Sequence, residues 1–508
     1  MNYRPNQKEF KLWDTWLFKE ESEGVFHLFF LANRPKPPNA PWHWVGHVVS
    51  EDLVDWRECE PIKVNCSEDT YDVGVIGTGM VMEVGTSNYV MSLTFNLESE
   101  RQSIGFLESK DLYHWGKKWA EPKIFADGKF YEDDTCGAFV KSPAFRDAFL
   151  LKRGSRYEAL IAAQAKGYHG ICRAVVARYT SEDMKFWKAS EPLIGPGVTM
   201  LMEVPEYFEL GGNHFLIWSS FSGLGFRIDT PVRKMCAGTF YAVANRYEGP
   251  YRCPADNLLI GAGEQETRMQ SYVGRVIRHG QECLLYHHLD GEYPCFGLPK
   301  LLKCESDGSL KCCLWSGVEK LWYEKVKVHM ERVKVQALRE QLGLWSVCGD
   351  SLTIDGSDCV TTGLLDSEIL TDMHLRLKVR FEGCSRFAVS VRDCGIGAKD
   401  TAPAIQADVA NGLWQFGRMS YNWFGMMLPV ENVRIETELR CVYQIDIIVR
   451  DVYFEAYLNG EWIFTRNIES FSRQGQVGIT VEGGKVIVQE LEVFRLKPML
   501  YGFYRSSE

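Results

Sequence analysis

Three copies of one short pattern decide the fold: SEDLVDW at residues 50–56, SKDLYHW at 109–115 and SEDMKFW at 181–187. Each copy reads Ser-x-Asp-Leu/Met-x-x-Trp and follows a β-rich run. Their spacing is too long for a single hairpin, and recurrence at such a period indicates a repeated supersecondary unit. A four-stranded antiparallel propeller blade fits this unit, with the Ser/Asp turn ending one strand and the Trp packing between neighbouring sheets.

Two later segments fit further blades in which the pattern has decayed. Residues 240–252 and 272–288 alternate apolar and polar positions and contain turn residues. The first 310 residues therefore predict about five blades, within the range known for propellers. A generic β-sandwich with a recurring loop is the alternative, but the fixed position of the Trp in each copy disfavours it.

The last third of the chain predicts a second β domain. Residues 319–342 are charged and have mixed periodicity, which indicates a connection. Residues 443–468 alternate around Asn459-Gly460, a dipeptide favoured in type I′ hairpin turns, and residues 476–494 repeat the device around Gly483-Gly484. We predict an all-β protein: a five-bladed β-propeller at 1–315, a connecting segment at 316–345 and a C-terminal β-sandwich at 346–508.

Composition excludes several functions. The formal charge of −10 and the absence of Lys/Arg clusters argue against nucleic-acid or anionic-membrane binding. The N-terminus lacks a signal-peptide core and no run of eighteen apolar residues occurs, so the sequence predicts a cytoplasmic protein without membrane spans. The 16 cysteines are scattered and form no CxxC, which indicates free thiols and no structural metal.

Three carboxylates interrupt apolar or aromatic strand-like runs: Asp14 in LWDTW, Asp147 in AFRDAFL and Glu203 in MLMEVPEYFEL. Burying a charge is costly unless it is paired or functional. For one such acid, a core Asp satisfied by backbone N–H groups is the commoner explanation. Three acids in successive blades instead predict a site, because propeller blades direct their innermost strands towards a common axis.

Glycoside cleavage uses this set of groups: a carboxylate at the anomeric carbon and an acid that protonates the leaving oxygen. Glu203 has apolar neighbours that suit a general acid, because desolvation raises the pKa of a carboxyl group. Asp14 lies between Trp13 and Trp16, whose rings can form a face for a sugar, and suits the nucleophile. Asp147 follows Arg146 and suits a group that binds sugar hydroxyls.

At these residues the chain resembles glycoside hydrolase family 32, the invertases and fructan hydrolases, and the related levansucrases. WDTW is similar to the levansucrase form of the nucleophile motif, FRDAFL to the family's FRDP segment and MEVPEYFEL to its WECPDLFEL segment. Residues 44–56, 71–82, 296–310 and 452–468 also resemble family segments. The resemblance implies a five-bladed propeller with Asp14 as nucleophile, Asp147 as transition-state stabiliser and Glu203 as general acid.

The chain also departs from the family pattern. The Asn-Asp-Pro-Asn-Gly of invertases is absent, Val204 stands where Cys is usual, and Ala148 replaces the Pro after Arg-Asp. These departures affect the sugar pocket more than the acids. The predicted substrate-binding residues are Trp13, Trp16, Trp44, His47, Gly77, Thr78 and Arg146. The acids within Tyr131–Asp134 are an alternative to Asp147, although a solvated loop fits them better.

We therefore predict a hydrolase that cleaves or transfers a β-fructofuranosyl unit of a small oligosaccharide by a retaining mechanism, without metal or cofactor. Two rival hypotheses stay open: an inverting arabinofuranosidase-type hydrolase with the same three acids, and a carbohydrate-binding propeller without turnover. The expected partner is the oligosaccharide, with neither nucleic acid nor membrane. Homo-oligomerisation and the role of the C-terminal sandwich are undecided by the sequence.

Overall fold

The computed structural model describes residues 3–5, 10–33, 44–64, 75–96, 101–133, 143–222, 229–263, 270–335, 344–398, 401–420 and 426–501. Their regular secondary structure is almost entirely β-strand, as the sequence predicted. The described helices are two short 3-10 turns, at Ser316–Leu321 and Val409–Asn411. Neither is long and apolar enough to cross a membrane, and the described residues contain no other helix.

The N-terminal part begins with β1 (Tyr3–Arg4) and continues as a series of antiparallel sheets. The first sheet holds β2 (Lys11–Glu20), β3 (Val25–Asn33), β4 (Trp44–Ser50), β5 (Arg57–Glu58) and β6 (Ile62–Lys63). The second holds β7 (Ile76–Gly85), β8 (Asn88–Asn96), β9 (Gln102–Ser109) and β10 (Gly116–Lys117). The chain thus completes one sheet before starting the next.

Two more four-stranded sheets follow. The third holds β11 (Phe145–Arg153), β12 (Arg156–Gln164), β13 (Ala174–Ser181) and β14 (Lys188–Ile194), and the fourth holds β15 (Glu203–Leu210), β16 (Asn213–Phe221), β17 (Met235–Ala244) and β18 (Leu258–Gly263). A further antiparallel series comprises β19 (Ser271–His279), β20 (Glu282–Leu289), β21 (Cys295–Phe296), β22 (Lys300–Cys304) and β23 (Leu310–Leu314). This last series belongs to a 15-stranded sheet.

The first strands of these sheets surround a common centre. β2 contacts β7, β7 contacts β11, β11 contacts β15, β15 contacts β19, and β19 contacts β2. The arrangement is propeller-like, with the first strands innermost and the later strands of each sheet progressively further out. Residues far apart in sequence therefore meet where the first strands converge.

The repeated pattern forms the turn that ends the third strand of each of the first three sheets. In the second copy, Asp111 Oδ1 accepts hydrogen bonds from the N–H groups of Tyr113 (2.9 Å) and His114 (2.8 Å). Leu112 has φ 66°, a left-handed conformation that the turn holds. The Trp115 ring lies 6.0 Å from that of Phe29 in the preceding sheet. The pattern is therefore a turn and an inter-sheet packing device, as predicted.

The remaining strands continue in chain order. They are β24 (Trp322–Val326), β25 (His329–Val335), β26 (Trp345–Cys348), β27 (Ser351–Asp355), β28 (Thr361–Asp366), β29 (Met373–Glu382), β30 (Arg386–Asp393), β31 (Ala402–Asp408), β32 (Leu413–Ser420), β33 (Met426–Arg434), β34 (Val442–Arg450), β35 (Tyr453–Leu458), β36 (Glu461–Asn467), β37 (Gln476–Glu482), β38 (Lys485–Leu496) and β39 (Leu500–Tyr501).

The C-terminal strands lie in two sheets that share one hydrophobic core. A seven-stranded sheet has the order β25-β28-β37-β30-β31-β32-β33, and the 15-stranded sheet includes the run β26-β27-β38-β29-β34-β35-β36. Leu375 and Val379 of the larger sheet belong to the same buried cluster as Val389, Ile405 and Trp414 of the smaller one. Alternate positions of each strand supply this cluster, as period-two patterning requires.

Two sequence expectations need correction. The stretch predicted as a connection contributes β24, which pairs with β38, and β25, which pairs with β28, because WYEKV and HMERVKV have strand alternation. Its residues 336–343 lie outside the described residues. Gly483-Gly484 does not form a hairpin: β37 pairs with β28 and β30, whereas β38 pairs with β27 and β29. The dipeptide crosses from one sheet to the other. The Asn459-Gly460 hairpin is confirmed, with φ of 50° and 78°.

Candidate active site

Each innermost strand breaks its regular pairing near its N-terminal end, and the candidate site lies at these breaks. The irregularities fall between Trp13 and Thr15, Gly77 and Gly79, Arg146 and Phe149, Glu203 and Glu206, and Tyr272 and Arg275. A bulge inserts an extra residue into one strand and re-aims nearby side chains. Asp14, Thr78 and Asp147 fall within these bulges, and Glu203 borders one. Five equivalent bulges thus direct side chains to one place.

Backbone strain marks three of the bulges, including the fifth, where Val273 has φ 51°. Asp147 has φ 62° and Val204 has φ 48°, in the left-handed region that non-glycine residues rarely occupy. Val204 is β-branched, for which this conformation is especially unfavourable. Its N–H donates to Asp147 Oδ2 at 3.1 Å, so the strained peptide binds the neighbouring carboxylate. Strain of this kind persists where surrounding structure enforces it, commonly at functional sites.

The three predicted acids meet in one cluster, which we call the acid cluster: Asp14, Asp147 and Glu203. Asp14 interacts electrostatically with both other carboxyl groups. Its Oδ2 accepts a hydrogen bond from the Thr78 hydroxyl, while its Oδ1 is buried without a hydrogen-bond partner among the described residues. The side chains of Asp147 and Glu203 are 5% and 16% exposed. Three carboxylates from three sheets therefore share one largely enclosed space.

Arg146 connects two of these acids. Its guanidinium donates to Glu203 Oε1, and its Nε lies 3.7 Å from Asp147 Oδ2. Burial lowers the pKa of Arg146, but the two carboxylates outweigh that effect and raise the pKa above its ordinary value. Arg146 therefore stays a cation and offsets part of the negative charge of the cluster.

The surroundings raise the pKa of two acids. Burial, and next the charge of Asp147, raise the pKa of Asp14 to about 7, against the lowering effect of the Thr78 hydrogen bond. Burial raises the pKa of Asp147 to about 6, although Arg146 opposes it. The acid cluster consequently holds protons near neutral pH, which is typical of sites that perform acid–base chemistry.

A buried ion pair between Arg275 and Glu206 supports the strands that carry the acid cluster. Arg275 donates from Nε to Glu206 Oε2 at 2.8 Å and from Nη1 to the carbonyl oxygen of Gly79 at 2.7 Å. Glu206 also accepts the N–H of Val276 at 3.0 Å. The pair ties β7, β15 and β19 together where they converge, and the Arg275 charge contributes a lowering of the Asp14 pKa. This arrangement fixes the strands that carry the acids.

Two aromatic residues of the site were not predicted. Tyr272 donates its hydroxyl to Glu203 Oε2 at 2.6 Å. The His288 ring lies 4.6 Å from that of Trp13 and 6.3 Å from that of Tyr272, and both of its nitrogens are buried without a hydrogen-bond partner among the described atoms. Burial lowers the pKa of His288 to about 3, so its imidazole is neutral. The signal available was positional: Tyr272 directly precedes the bulge of its innermost strand, as Glu203 does.

The predicted substrate-binding residues divide into two groups. Trp13, Thr78 and Arg146 contact residues of the site, and Gly77 precedes Thr78 on β7, where an added Cβ would lie 3.0 Å from Thr94 Cβ.

The second group lies in the packing of the first sheet. Trp16 is fully buried and stacks on Phe29 at 6.3 Å, and His47 hydrogen-bonds His27 at 2.9 Å. Trp44 packs against Phe10 at 5.9 Å. Trp44 and His47 occupy the third strand, separated from the innermost strand by β3, which is why they do not join the acids.

The alternative middle acid is neutralised elsewhere. Glu132 binds Lys166 at 2.8 Å and Arg173 at 3.1 Å, and Asp133 lies 3.4 Å from the same Lys166. Asp134 lies outside the described residues. Glu132 is thus part of a local ion-pair network and not of the acid cluster.

Comparisons with known proteins agree with this arrangement. Residues 19–252 match the family model of the glycosyl hydrolases family 32 N-terminal domain. A cell-wall beta-fructofuranosidase of Zea mays is 26% identical over 195 residues, which cover 37% of this chain and 31% of that protein. The chain aligns with only 19% to 38% of the length of the curated relatives it matches.

Solved structures match nearly the whole chain in fold. A sucrose-6-phosphate hydrolase of Lactobacillus gasseri superposes with a TM-score of 0.70 at 15% identity, covering 98% of this chain and 93% of that one. A GH32 beta-fructofuranosidase of Bombyx mori, solved as a mutant in complex with sucrose, gives 0.63 at 15% identity, covering 97% and 94%. Over residues 19–252, this chain is similar to the glycosyl hydrolases family 32 N-terminal domain.

Proposed function

We propose that this protein is a glycoside hydrolase that releases or transfers a β-fructofuranosyl unit of a small oligosaccharide with retention of configuration. One observation carries the proposal: carboxylates from three different sheets meet in one enclosed cluster within a chain that matches family 32. A carboxylate pair flanking a glycosidic bond is the machinery that such cleavage requires.

In the proposed reaction, Asp14 attacks the anomeric carbon of the fructosyl unit while the bond to the leaving oxygen breaks. Glu203 gives its proton to that oxygen, and the product is a covalent fructosyl ester of Asp14. Glu203 then removes a proton from water, which attacks the same carbon and releases Asp14. A sugar hydroxyl in place of water gives transfer, because the intermediate is the same.

The contacts of Glu203 are compatible with a residue that changes its protonation state. Arg146 donates to Oε1 and Tyr272 donates to Oε2. A phenolic hydroxyl can accept as well as donate, so Tyr272 accommodates Glu203 both with and without its proton. We infer that Tyr272 and Arg146 hold the carboxyl group in position throughout the two steps.

The comparisons and the walls of the site support the proposed substrate class. The similar proteins are named as hydrolases of β-fructofuranosides, and one structure of the same fold holds sucrose. Trp13 offers a ring face, while Asp147 and the neutral His288 are placed to bind hydroxyl groups. We infer that Asp147 binds hydroxyls of the sugar ring without forming a bond to it.

The finer organisation of the chain is also a proposal. We infer that β19, β20, β22 and β23 form a fifth blade, so that residues 1–315 are a five-bladed propeller. Support comes from the fifth equivalent bulge on β19 and from the Trp56 ring, which lies 5.5 Å from that of Phe296. We also infer that the two C-terminal sheets form a sandwich built mainly from residues 346–508, to which the preceding segment adds β24 and β25. The cytoplasmic location stays a prediction.

The test is a substrate screen, followed by identification of the anomer in which the product is first released. The full chain is incubated with sucrose, 1-kestose, short levan and inulin oligosaccharides and an arabinofuranoside, and NMR records released sugar and its first-formed anomer. We expect fructose release with retention. Inversion would replace the mechanism by that of the inverting rival, and measurable binding without release would favour the non-catalytic hypothesis.

Glu203→Gln tests the proposed acid. The change removes the transferable proton and keeps the shape, so turnover of natural substrates should fall at least about 100-fold. Glu209→Gln is the matched control, because Glu209 lies on the same strand with a 65% exposed side chain. Near-normal turnover in Glu203→Gln would exclude Glu203 as the acid.

A further inference from the structure

The seven-stranded C-terminal sheet has a polar outer face that the reaction does not use. Its inner face supplies Phe387, Val389 and Ile405 to the core shared with the larger sheet. Alternate residues therefore point away from that core. On this outer face one cross-strand row runs over six neighbouring strands: Thr362, Thr480, Ala388, Gln406, Gln415 and Asn432.

Side-chain hydrogen bonds join the members of this row. Gln406 Nε2 donates to Gln415 Oε1 at 2.7 Å, and Gln415 Nε2 donates to Asn432 Oδ1 at 2.7 Å. On the other side, the Thr362 and Thr480 hydroxyls lie 2.5 Å apart. Ala388 stands between the amide chain and the threonine pair, and its methyl group leaves a gap in an otherwise continuous polar row.

A recess of about 190 Å³ lies over this gap, and we call it the Ala388 recess. Besides Ala388, its walls include Gln406 and Gln415, with Met427 and Pro429 on one side and Arg386, Asp408 and Glu482 on the other. The recess is deep enough that Ala388 and Gln415 are only 2% and 7% exposed although they lie on an outer face.

The adjacent row explains the charge of the recess. Arg386 donates to Glu482 Oε2 at 3.1 Å, and its Nε lies 3.6 Å from Asp408 Oδ2. Two carboxylates therefore surround one guanidinium, and the recess has no surplus positive charge to attract an anion. Asp408 is 5% exposed and its Oδ1 has no hydrogen-bond partner among the described residues. A buried carboxylate oxygen without a partner is costly and calls for a donor.

The third neighbouring row on this face consists of small residues: Gly478, Ser390, Ala404 and Gly417. A Cβ added at Gly417 would lie 2.2 Å from the Leu428 carbonyl oxygen, so this part of the sheet is closely packed. Met427 and Pro429 rise beside it and supply the apolar edge of the recess. The result is a polar pocket with one apolar wall.

We propose that the Ala388 recess binds a single neutral sugar ring, separately from the acid cluster. Amides, a threonine hydroxyl and an unpartnered carboxylate oxygen together match hydroxyl groups, which donate and accept at once. A volume of about 190 Å³ is below that of sites for drug-sized ligands, ~300 Å³ or more, and suits one ring better than a chain. This proposal does not depend on the proposed reaction.

Met427 provides a direct reporter for the test. The full chain is labelled with 13C-methyl methionine, and Met427→Leu and Met202→Leu assign two signals. Met427 lines the recess and Met202 precedes Glu203 of the acid cluster. The probes are D-fructose, D-glucose and D-xylose, with inorganic phosphate for comparison. We expect at least one sugar to shift the Met427 signal saturably and phosphate to leave it unchanged.

Variants then separate binding in the recess from other effects. Gln406→Leu combined with Gln415→Leu removes the amides at similar volume and should raise the Kd at the Met427 signal at least tenfold. Ala388→Trp should fill the recess and abolish the shift. Gln444→Leu is the matched control, since the Gln444 amide donates to Asp446 on the other sheet. Urea unfolding of each variant shows whether the fold is retained.

Three results would overturn the proposal. The first is a Met427 signal that no sugar moves, and the second is a signal that phosphate moves instead. The third is a wild-type dimer that Ala388→Trp dissociates, which would make the face an interface between copies of this chain. A Met427 shift together with an unmoved Met202 signal and no turnover would sink the proposed reaction and leave the recess intact.

Discussion

Two buried sites in this protein, the surroundings of Glu455 and the acid cluster, differ in how fully their carboxylate oxygens are hydrogen-bonded. At the junction of β22 with the C-terminal strands, Glu455 accepts a salt bridge from Lys300 at 2.6 Å, and both side chains are fully buried. The hydroxyls of Tyr453, Tyr457 and Thr465 donate to the same carboxylate at 2.7 to 2.8 Å. Every oxygen of this acid has a partner.

The acid cluster, where the innermost strands converge, is the opposite case. Asp14 has one hydrogen bond, from Thr78, and a buried oxygen with none among the described residues. Three carboxylates lie close together, and the pKa values of Asp14 and Asp147 are raised to about 7 and 6, with burial as the largest cause. The fold thus leaves part of this charge uncompensated.

The contrast separates structural from functional burial of charge. A fully satisfied network stabilises the junction, because removing one partner leaves a buried unpaired group. An under-satisfied cluster costs stability, and under the proposed function a bound substrate supplies the missing partners. Substitutions in the two clusters should therefore have different signatures.

The largest expected effect is on catalysis in the central cluster. Asp14→Asn keeps the shape of the side chain and removes the nucleophile, so kcat/KM for sucrose or 1-kestose should fall at least about 1000-fold. Steady-state kinetics with the exposed control Glu209→Gln measure this loss. Activity within tenfold of wild type would show that Asp14 does not attack the sugar.

The same variant should be more stable than the wild type at pH 8. The folded-state pKa of Asp14 is about 7 against an ordinary value of 3.8, so between these pH values the folded state keeps a proton that the unfolded chain has lost. The free energy of unfolding therefore falls as pH rises through this window. The Asp14→Asn variant does not titrate and avoids this loss of free energy of unfolding, which is worth about 1–3 kcal/mol. Urea unfolding at pH 5 and pH 8 compares the two proteins.

At the junction the main effect should be on stability. Glu455→Gln leaves the Lys300 ammonium buried and unpaired, which should lower the free energy of unfolding by about 3–5 kcal/mol. The control is Glu461→Gln, which breaks the exposed ion pair between Glu461 and Lys311. It should lower the free energy of unfolding by less than about 1 kcal/mol. Activity per folded molecule should change little. Lost turnover in a variant of unchanged stability would contradict a structural role.

The pH of the assay should change kcat/KM through the protonation of Asp14. Attack requires the ionised form, and its fraction increases as pH rises through about 7. The profile of kcat/KM should therefore show an acid limb with an apparent pKa near 7 in the free enzyme. Initial rates between pH 4.5 and 9 measure it. A limb that lies near pH 4 would mean that the carboxyl group is not desolvated as the structure implies.

Sequence alone was sufficient for the repeat and for the acids. The Ser-x-Asp-Leu/Met-x-x-Trp turn is local, since its hydrogen bonds join residues two or three apart, and it is visible without a structure. The three acids stand out because each interrupts an apolar run. Both features depend on short-range chemistry, and this is what a single sequence records.

The direction of side chains could not be predicted in the same way. In a regular strand Asp14 and Trp16 share a face, but the bulge between Trp13 and Thr15 sends Asp14 to the acid cluster and leaves Trp16 in the inter-sheet packing. No glycine or proline marks this bulge. The pairing of β37 and β38 with different sheets is equally non-local, so the Gly483-Gly484 dipeptide suggested a hairpin that does not form.

The smallest expected effect tests the hydrogen bond from Thr78, which favours ionised Asp14. Thr78→Val removes the hydroxyl and keeps the shape, so the pKa of Asp14 should rise and the acid limb should move to higher pH by about half a unit to one unit. Above pH 8.5 the variant should approach wild-type kcat/KM, because the carboxyl group is then ionised in both. Thr180→Val, on the third sheet, is the control. A uniform loss of activity at every pH would instead mean that Thr78 positions Asp14 or the sugar and does not set the protonation of the nucleophile.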